Sequence, residues 1–426
     1  MVLKSKQIQE FKETEMGKIP SDWEVKKIHE LYEIRSGLSK PREEFGFGYP
    51  FLTFKEIFEN YSVPDELPHL VNSTEKERET GSIKRGDVFL TRTSETWKEL
   101  GMSSVALKNY DDATFNGFAK RLRPIDDNII LPEFAMYLFR SVKVQDQFLK
   151  YNSLTTRASL NGEAIKQVIL AIPSSLEQKK ISNILLSLDY QIKKIQTQNK
   201  ILEQIAQAIF KSWFIDFDGI AEFDDSELGE IPKGWRVKKL ADVCIPQYGY
   251  TESANNEPVG PKFLRITDMN KDPWINWTTV PYCTITDSNL EKYSLKQGDV
   301  VVSRMADPGK AGIIEEAIES VFASYLIRLK TSSMEHSYFL FYFLRSKRFL
   351  DYVQGAAGGG SVQKNMNAQV IINIEFIEPP TQLVKSFFKF VYPIRMTIVN
   401  NLHQIKKLKE ICDLLLVKFM SGEIRV

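Results

Sequence analysis

The chain has 426 residues, of which 43% are hydrophobic and 12% aromatic, enough for two or three domains with apolar cores. It has no apolar run of about 18 residues and its charged start lacks the apolar stretch of a signal peptide, so we expect a soluble, cytoplasmic protein. Three cysteines without paired spacing and four scattered histidines support neither a disulfide framework nor a zinc site. A net charge of +1 argues against a nucleic-acid-binding protein with a uniformly basic surface. Segments 177–211 and 385–418 nevertheless each carry an excess of lysine and arginine.

A motif near the N-terminus occurs again in the second half of the chain. Residues 13–28 read ETEMGKIPSDWEVKKI, and residues 225–240 read DSELGEIPKGWRVKKL, an offset of 225 − 13 = 212. Residues 83–92 (IKRGDVFLTR) and 295–304 (LKQGDVVVSR) match at the same offset. Two matches at one spacing predict two copies of one unit, in which Trp23 and Trp235 are expected to anchor the core.

Each unit is predicted to mix strands and helices. The Gly-Asp-Val turn leads into a short buried strand, which ends at Arg92 in the first copy and at Arg304 in the second. Further strands are expected at 104–107, 119–123 and 325–330, and helices at 132–151 and 336–352.

The stretch 355–364 is rich in glycine, and its counterpart 153–158 is not. It lacks the spacing of a Walker loop. Two interpretations stay open: a mobile surface loop, or a loop that contacts phosphate through its backbone N–H groups.

A long heptad pattern follows each unit. Apolar residues recur in alternating steps of four and three over 181–213 and again over 387–419, and each series contains one asparagine, Asn199 or Asn401. Parallel pairing would bury each amide against an isoleucine, at a cost of roughly 1–3 kcal/mol. Antiparallel pairing with position numbers summing to 600 brings the two amides together, since 199 + 401 = 600. We therefore predict antiparallel coiled-coil helices. The alternative is that both asparagines lie at a solvent-exposed edge of the helices and do not determine their register.

The predicted fold class is mixed α/β (α+β), with two repeated globular domains separated by two long antiparallel helices. The expected boundaries are 1–175 for the first domain, 176–215 for the first helix, 216–380 for an acidic linker and the second domain, and 381–426 for the second helix and the C-terminal tail.

Known catalytic patterns are missing from the sequence. It contains no Asn/Asp-Pro-Pro-aromatic tetrad, no G-x-G-x-x-G, no G-x-S-x-G and no cluster spaced to ligate a metal. This indicates a binding protein without catalytic or metal-ligating residues.

The sequence resembles the specificity subunits of type I DNA restriction-modification systems. The resemblance lies in the duplicated E-x-G-x-I-P-x-x-W tract, the duplicated Gly-Asp-Val strand element, the proline-bounded entries into both heptad helices and the segments KSWFIDF (211–217) and FMSGEIR (419–425). It implies two target-recognition domains that each read one half of a split, asymmetric target in double-stranded DNA. It also implies two methyltransferase subunits and motor-nuclease subunits as partners, which would carry S-adenosylmethionine, ATP and Mg, while this chain binds no cofactor.

Because this resemblance implies two DNA-reading domains, the repeat divides the candidate DNA contacts into two groups. Residues that are equal in both copies, such as Arg92 and Arg304, cannot distinguish two half-sites and should serve structure or phosphate positioning. Base-reading groups must differ between the copies. The candidates are Lys40, Arg42, Thr93, Ser94 and Arg157 in the first domain, and Arg265, Asp268, Asn270, Lys310, Gln363 and Lys364 in the second. For each one a solvated surface residue is the competing interpretation.

The two helices are then expected to hold the recognition domains at a fixed distance. Their length of roughly 48 Å corresponds to about 14 base pairs of duplex. Two other functions stay open: a fused or stand-alone DNA-modifying enzyme with a degenerate active site, and a scaffold that binds only proteins.

Overall fold

The computed structural model describes residues 10–94, 100–150, 158–269, 272–357 and 366–426. The chain forms two compact units: unit 1 contains the described residues up to Gln191 together with Leu408–Val426, and unit 2 contains Ile192–Lys407. Each of the two long helices therefore contributes one part to each unit.

Unit 1 is a mixed α/β domain around a four-stranded antiparallel sheet. Its strands are β1 (Phe11–Thr14), β2 (Gly17–Pro20), β3 (Glu24–Lys27), β4 (Tyr32–Ser36), β5 (Phe45–Leu52), β6 (Leu70–Val71), β7 (Val88–Thr91), β8 (Thr93–Ser94), β9 (Ser103–Val105), β10 (Thr114–Phe115), β11 (Ala119–Pro124), β12 (Ala158–Ser159) and β13 (Ile169–Ile172). Its helices are α1 (Ile28–Leu31), α2 (Phe54–Glu59), α3 (Glu75–Gly81), α4 (Pro132–Leu138), α5 (Val142–Lys150), α6 (Gly162–Gln167) and the first part of α7 (Ser175–Phe214). The central sheet has the order β4-β11-β7-β9, and a second sheet has the order β10-β5-β6.

Unit 2 repeats this plan. Its strands are β14 (Phe223–Ser226), β15 (Gly229–Pro232), β16 (Arg236–Lys239), β17 (Cys244–Tyr248), β18 (Lys262–Leu264), β19 (Val300–Ser303), β20 (Ala311–Ile313), β21 (Ser320–Phe322), β22 (Leu326–Thr331) and β23 (Glu375–Glu378). Its helices are α8 (Asp287–Tyr293), α9 (Met334–Phe343), α10 (Lys347–Ala357), α11 (Ala368–Ile372) and most of α12 (Thr381–Met420). The central sheet has the order β17-β22-β19-β20, and β18 pairs in parallel with β21 as β5 does with β10.

The Gly-Asp-Val elements form the predicted turns and buried strands. The carboxylate of Asp87 accepts a hydrogen bond from the Lys84 backbone N–H at 2.8 Å, and Asp299 accepts one from Lys296 at 2.9 Å. All four residues of β7 and all four of β19 are buried. The same turn therefore precedes one of the two middle strands in the central sheet of each unit.

The prediction of one helix over 132–151, and of another over 336–352, was wrong. Each region contains two helices, α4 and α5 or α9 and α10. In unit 1 the Ser141 hydroxyl donates to the Leu138 carbonyl at 2.6 Å, so it competes with the helical backbone bonds. The preceding Arg140 donates to the carbonyls of Ser103, Phe58 and Asn60. In a continuous helix the Arg140 side chain would not point toward these carbonyls.

The two tryptophans of the repeated motif lie in or against the cores. Trp23 is 1% exposed, and its indole Nε1 donates to the Glu177 carboxylate at 3.2 Å. Trp235 is half-buried and packs edge-on against Phe217 and at a tilt against Phe214. The expected anchoring role thus holds fully for Trp23, while Trp235 covers its core from one side.

The long helices are antiparallel with the predicted register. In unit 2 the Asn401 Nδ2 donates to the Asn199 Oδ1 at 2.7 Å, and the two side chains lie in a buried position. In unit 1 the same pairing places Ile181 and Leu185 of α7 in one apolar cluster with Phe419 of α12. The pairing predicted from the heptad pattern is confirmed through this one bond, while the Asn199 Nδ2 is buried and makes no hydrogen bond with the described residues.

Replacement of one asparagine should cost more than replacement of both. We expect Asn401→Leu to destabilise unit 2 by about 1–3 kcal/mol, because the Asn199 amide is left buried without a partner. The double variant Asn199→Leu/Asn401→Leu should recover most of that loss. A double-mutant cycle of urea unfolding measures the coupling, and simple additivity of the two single effects would contradict it.

Candidate nucleic-acid interface

One edge of the central sheet of unit 1 collects the loops that carry the predicted contacts. Strands β4 and β7 end there, at Ser36 and Thr91, and strands β9 and β11 begin there, because neighbouring strands of this sheet are antiparallel. We call this side the loop edge of unit 1.

Unit 2 has an equivalent loop edge. Strands β17 and β19 end on this side, at Tyr248 and Ser303, while β20 and β22 begin there. Strand β18 also ends here, since the Ala323 N–H next to the start of β22 donates to the Leu264 carbonyl at 2.9 Å. Arg265, the residue after Leu264, is thereby brought to the same edge.

In unit 1 the predicted DNA contacts differ in their side-chain partners and in their secondary structure. Lys40 forms an ion pair with Glu77 at 2.9 Å, whereas Arg42 is exposed in a short 3-10 turn. Thr93 and Ser94 form β8, which pairs with β12. Arg157 lies outside the described residues.

In unit 2 two of the predicted residues pair with each other. The guanidinium of Arg265 donates to both carboxylate oxygens of Asp268, at 3.1 and 3.0 Å, and Asp268 also accepts from the Arg265 backbone N–H. The carboxylate of Asp268 is 6% exposed and the side chain of Arg265 is 38% exposed, so the aspartate orients the arginine and only the arginine reaches solvent. Lys310 is exposed and lies 3.5 Å from Asp307. Asn270, Gln363 and Lys364 lie outside the described residues, as does most of the glycine-rich stretch.

The strand-ending arginines have the same backbone setting in both units. The carbonyl of Arg92 accepts from the Leu160 N–H and that of Arg304 accepts from the Met366 N–H, both at 2.8 Å. The Arg304 Nε donates to the Met366 carbonyl at 3.2 Å, and its guanidinium lies 5.0 Å from the centre of the Tyr248 ring. Both arginines are half-buried, which agrees with a structural or phosphate-positioning role.

Lys120 was not predicted as a site residue, yet it lies at the loop edge of unit 1. Its Nζ donates to the Ser36 hydroxyl at 2.6 Å. Burial, together with the nearby charge of Arg92, lowers the pKa of Lys120. A lysine whose charge is disfavoured in this way gains from a phosphate or another anion brought close to it. Only the pairing of β11 with β4 and β7 reveals this position, so the sequence carried no signal for it.

The described part of the chain contains no set of three or more His, Cys, Asp or Glu side chains placed to hold a metal ion. None of the described helices combines the length and apolar character that a membrane span requires.

Two repeated α/β units on paired antiparallel helices, with basic groups at equivalent loop edges, define a modular binding protein. The chain belongs to the family described as the type I restriction modification DNA specificity domain, whose model matches residues 20–204 and 232–412. The resemblance inferred from the sequence motifs is thereby confirmed.

Similar proteins support the same family. The MjaIX specificity subunit of Methanocaldococcus jannaschii is 29% identical over 434 residues, which cover 98% of this chain and 97% of that protein. The HindI specificity subunit of Haemophilus influenzae is 25% identical and covers 95% of this chain and 100% of its own length. The crystal structure of a type I restriction-modification S subunit from M. genitalium has the same fold, with a TM-score of 0.53, 12% identity and coverage of 93% and 96%.

The family fixes the general role of the chain. It is the specificity subunit of a type I restriction-modification system, the part that selects the DNA target, and not an enzyme. The specificity subunits of this family do not themselves bind a cofactor. The alternative of a stand-alone modifying enzyme is not favoured.

Proposed function

We propose that the chain reads a split, asymmetric target in double-stranded DNA, with the loop edge of each unit contacting one half-site. The observation that carries this proposal is that one backbone frame occurs twice while its loops differ. The shared frame presents each loop edge in an equivalent way. The differing residues, such as Arg42 in unit 1 and Arg265 in unit 2, give each edge its own set of donors. Different donors select different bases.

Two methyltransferase subunits and motor-nuclease subunits complete this proposed complex in the cytoplasm, and S-adenosylmethionine, ATP and Mg bind to them. The helices offer equivalent apolar positions for the methyltransferases: Ile205 is 44% exposed in unit 2, and Ile411, at an offset of 411 − 205 = 206, is 45% exposed in unit 1. This matching exposed isoleucine in each unit supports one methyltransferase for each unit.

Footprinting of the complex with its methyltransferase tests the proposal. We expect two short protected segments separated by an unprotected spacer, and no methyl transfer or cleavage by the purified chain alone. Protection of one continuous segment would contradict the split target. A complex that binds its protein partners but no DNA would favour a protein-binding scaffold instead.

Substitutions at Arg304 and Arg265 should have different effects. We expect Arg304→Gln to weaken binding to all DNA sequences alike and to reduce the salt dependence, because a shared residue contacts phosphate. Arg265→Gln should change the base preference of one half-site, at about 1–3 kcal/mol for each lost base contact. Binding to a library of randomised targets measures both effects.

Arg236, which is exposed on β16, provides the control. Arg236→Gln should leave affinity and preference unchanged. If Arg265→Gln weakens specific and random DNA equally, Arg265 is not a base-reading residue.

A further inference from the structure

The turn before β11 in unit 1 and the turn before β22 in unit 2 each present a large aromatic side chain to solvent at the loop edge. Phe118 in unit 1 is 58% exposed, and Tyr325 in unit 2 is 54% exposed. They are equivalent in the repeat at an offset of 325 − 118 = 207, the same offset that relates the buried Phe115 and Phe322. Exposed aromatic residues in both copies are unexpected if the position serves the fold alone, because exposure of a large apolar ring does not stabilise the unit.

Both aromatics lie in the same four-residue turn at the start of a sheet strand. The Ala119 N–H donates to the Asn116 carbonyl at 3.0 Å and closes the turn of unit 1, and the Leu326 N–H donates to the Ala323 carbonyl at 2.8 Å in unit 2. The carbonyl of Phe118 accepts from the Arg92 N–H at 3.1 Å, and that of Tyr325 accepts from the Arg304 N–H at 3.0 Å.

These turns are held against the neighbouring loops by further backbone bonds. In unit 1 the Gly117 N–H donates to the Leu38 carbonyl at 2.9 Å, and the Leu38 N–H donates to the Phe115 carbonyl at 2.8 Å. In unit 2 Ser324 and Tyr250 make the corresponding bonds, each at 2.8 Å.

A glycine lies directly against each turn. A Cβ at Gly37 would meet the Asn116 carbonyl oxygen at 2.3 Å, and one at Gly249 would meet the Ala323 oxygen at 2.2 Å. No side chain fits at either position. The backbone of each turn is therefore held in place, which fixes the point at which the aromatic side chain leaves the chain.

Basic residues lie next to both turns. Arg92 and Lys120 lie beside the turn of unit 1, and Arg304 lies beside the turn of unit 2. Cations next to a rigid, exposed aromatic ring form a surface that suits a polyanion with stackable bases. Because the position is aromatic in both copies, it cannot distinguish two different half-sites.

We propose that Phe118 and Tyr325 are sequence-neutral DNA contacts, each inserting its ring against the base pairs of the half-site bound by its own unit. This inference rests on the proposed function and adds to it the apolar part of DNA recognition. The rings anchor each domain on the duplex and locally unstack a base step, while the differing loop residues select the bases.

The test uses the full chain in complex with its methyltransferase and duplexes that carry 2-aminopurine in one half-site or the other. Fluorescence should rise on binding of the unaltered complex, because 2-aminopurine brightens when it is unstacked. Phe118→Ala should abolish the rise at one half-site only and Tyr325→Ala at the other. Each variant should lower affinity about ten-fold to a hundred-fold for specific and random DNA alike.

Matched controls come from the same two domains. Ile125 is 60% exposed in unit 1 and Ile245 is 71% exposed in unit 2, and both lie at the end of the sheet away from the loop edge. Ile125→Ala and Ile245→Ala should change neither signal nor affinity. The conservative variants Phe118→Tyr and Tyr325→Phe should keep the fluorescence signal and the affinity for DNA. Together with the alanine variants they distinguish the effect of losing the aromatic ring from a general loss of folding.

Several results would overturn the inference. Unchanged affinity and fluorescence in the alanine variants would mean that the rings do not touch DNA. A changed base preference would contradict a sequence-neutral contact, and lost methyltransferase binding would assign the rings to the protein partner. Failure of the unaltered complex to bind any DNA would instead remove the proposed function itself.

Discussion

Arg395→Ala should destabilise unit 2 by about 3–5 kcal/mol, the range measured when one partner of a buried ion pair is removed. The Arg395 side chain is 0% exposed. It donates to Glu315 at 2.8 and 2.6 Å and to Glu203 at 2.6 Å. The variant would leave two buried carboxylates without their main cation.

The hydroxyl groups of two tyrosines extend this network. Tyr342 bonds to Glu203 and Tyr338 bonds to Glu315, both at 3.2 Å. Burial lowers the pKa of Arg395, but the charges and hydrogen bonds of the surrounding Glu315, Tyr342 and Glu203 outweigh burial and raise the pKa well above its usual value. The network joins helix α12 to α7 and to the globular part of unit 2, so its loss should loosen all three.

Hydrogen exchange measured by mass spectrometry resolves this effect by region. Peptides from 192–407 should lose protection in Arg395→Ala, whereas the control Lys389→Ala, at an exposed position of the same helix, should leave protection unchanged. The triple variant Glu203→Gln/Glu315→Gln/Arg395→Met should recover much of the stability, because no charge remains buried. If Arg395→Ala behaves like Lys389→Ala, the network does not hold unit 2 together.

A heptad inserted into both long helices should lengthen the spacer of the DNA target. Insertion after Asn199 and before Asn401 keeps the buried amide pair and the phase of the seam. The added length is roughly 10 Å, which corresponds to about three base pairs. Both half-site sequences should stay unchanged, because no loop edge is altered.

Methylation mapping in cells that carry the double insertion measures the spacer directly. The added twist of the DNA can restrict binding to spacers that present the correct groove, or abolish it if the partners do not follow. Insertion into only one helix is the control, and it should abolish activity because it shifts the register of the pair. An unchanged spacer with full activity would mean that the helices only dock the methyltransferases and that another element sets the distance.

The long helices could be predicted because their signal is local and periodic. A buried seam repeats every seven residues, and each seam has a single asparagine, so the antiparallel pairing of Asn199 with Asn401 followed from residue spacing alone. The buried strands β7 and β19 were also predictable from a local signal, because the Gly-Asp-Val turn precedes each of them.

Outside the heptad seam, contacts between residues far apart in the chain could not be predicted. The break between α4 and α5 depends on Arg140, whose carbonyl partners lie at residues 57–60 and 103. Arg395 and Glu315 are 80 residues apart, and neither lies on the heptad seam. The sequence also gave no sign that Phe118 is exposed while the nearby Phe115 is buried, because the turn between them is fixed by residues 38 and 52.

The candidate DNA contacts stay predictions, and their placement in loops was wrong for Thr93 and Ser94, which form strand β8. The side-chain partners of the candidates could not be predicted either. The i to i+3 spacing of Arg265 and Asp268 is visible in the sequence, yet only the 3-10 turn between them brings the carboxylate onto the guanidinium. Lys40 meets Glu77 only through the folding of the domain.

Mapping of methylated bases in a host that expresses this chain with its methyltransferase tests whether each unit reads one half-site. We predict one split, asymmetric motif whose two specific halves flank a spacer of fixed length. Exchange of residues 216–380 for those of a relative with another target should replace one half and leave the other half unchanged. A continuous motif, or a change of both halves on that exchange, would contradict the reading of one half-site by each unit.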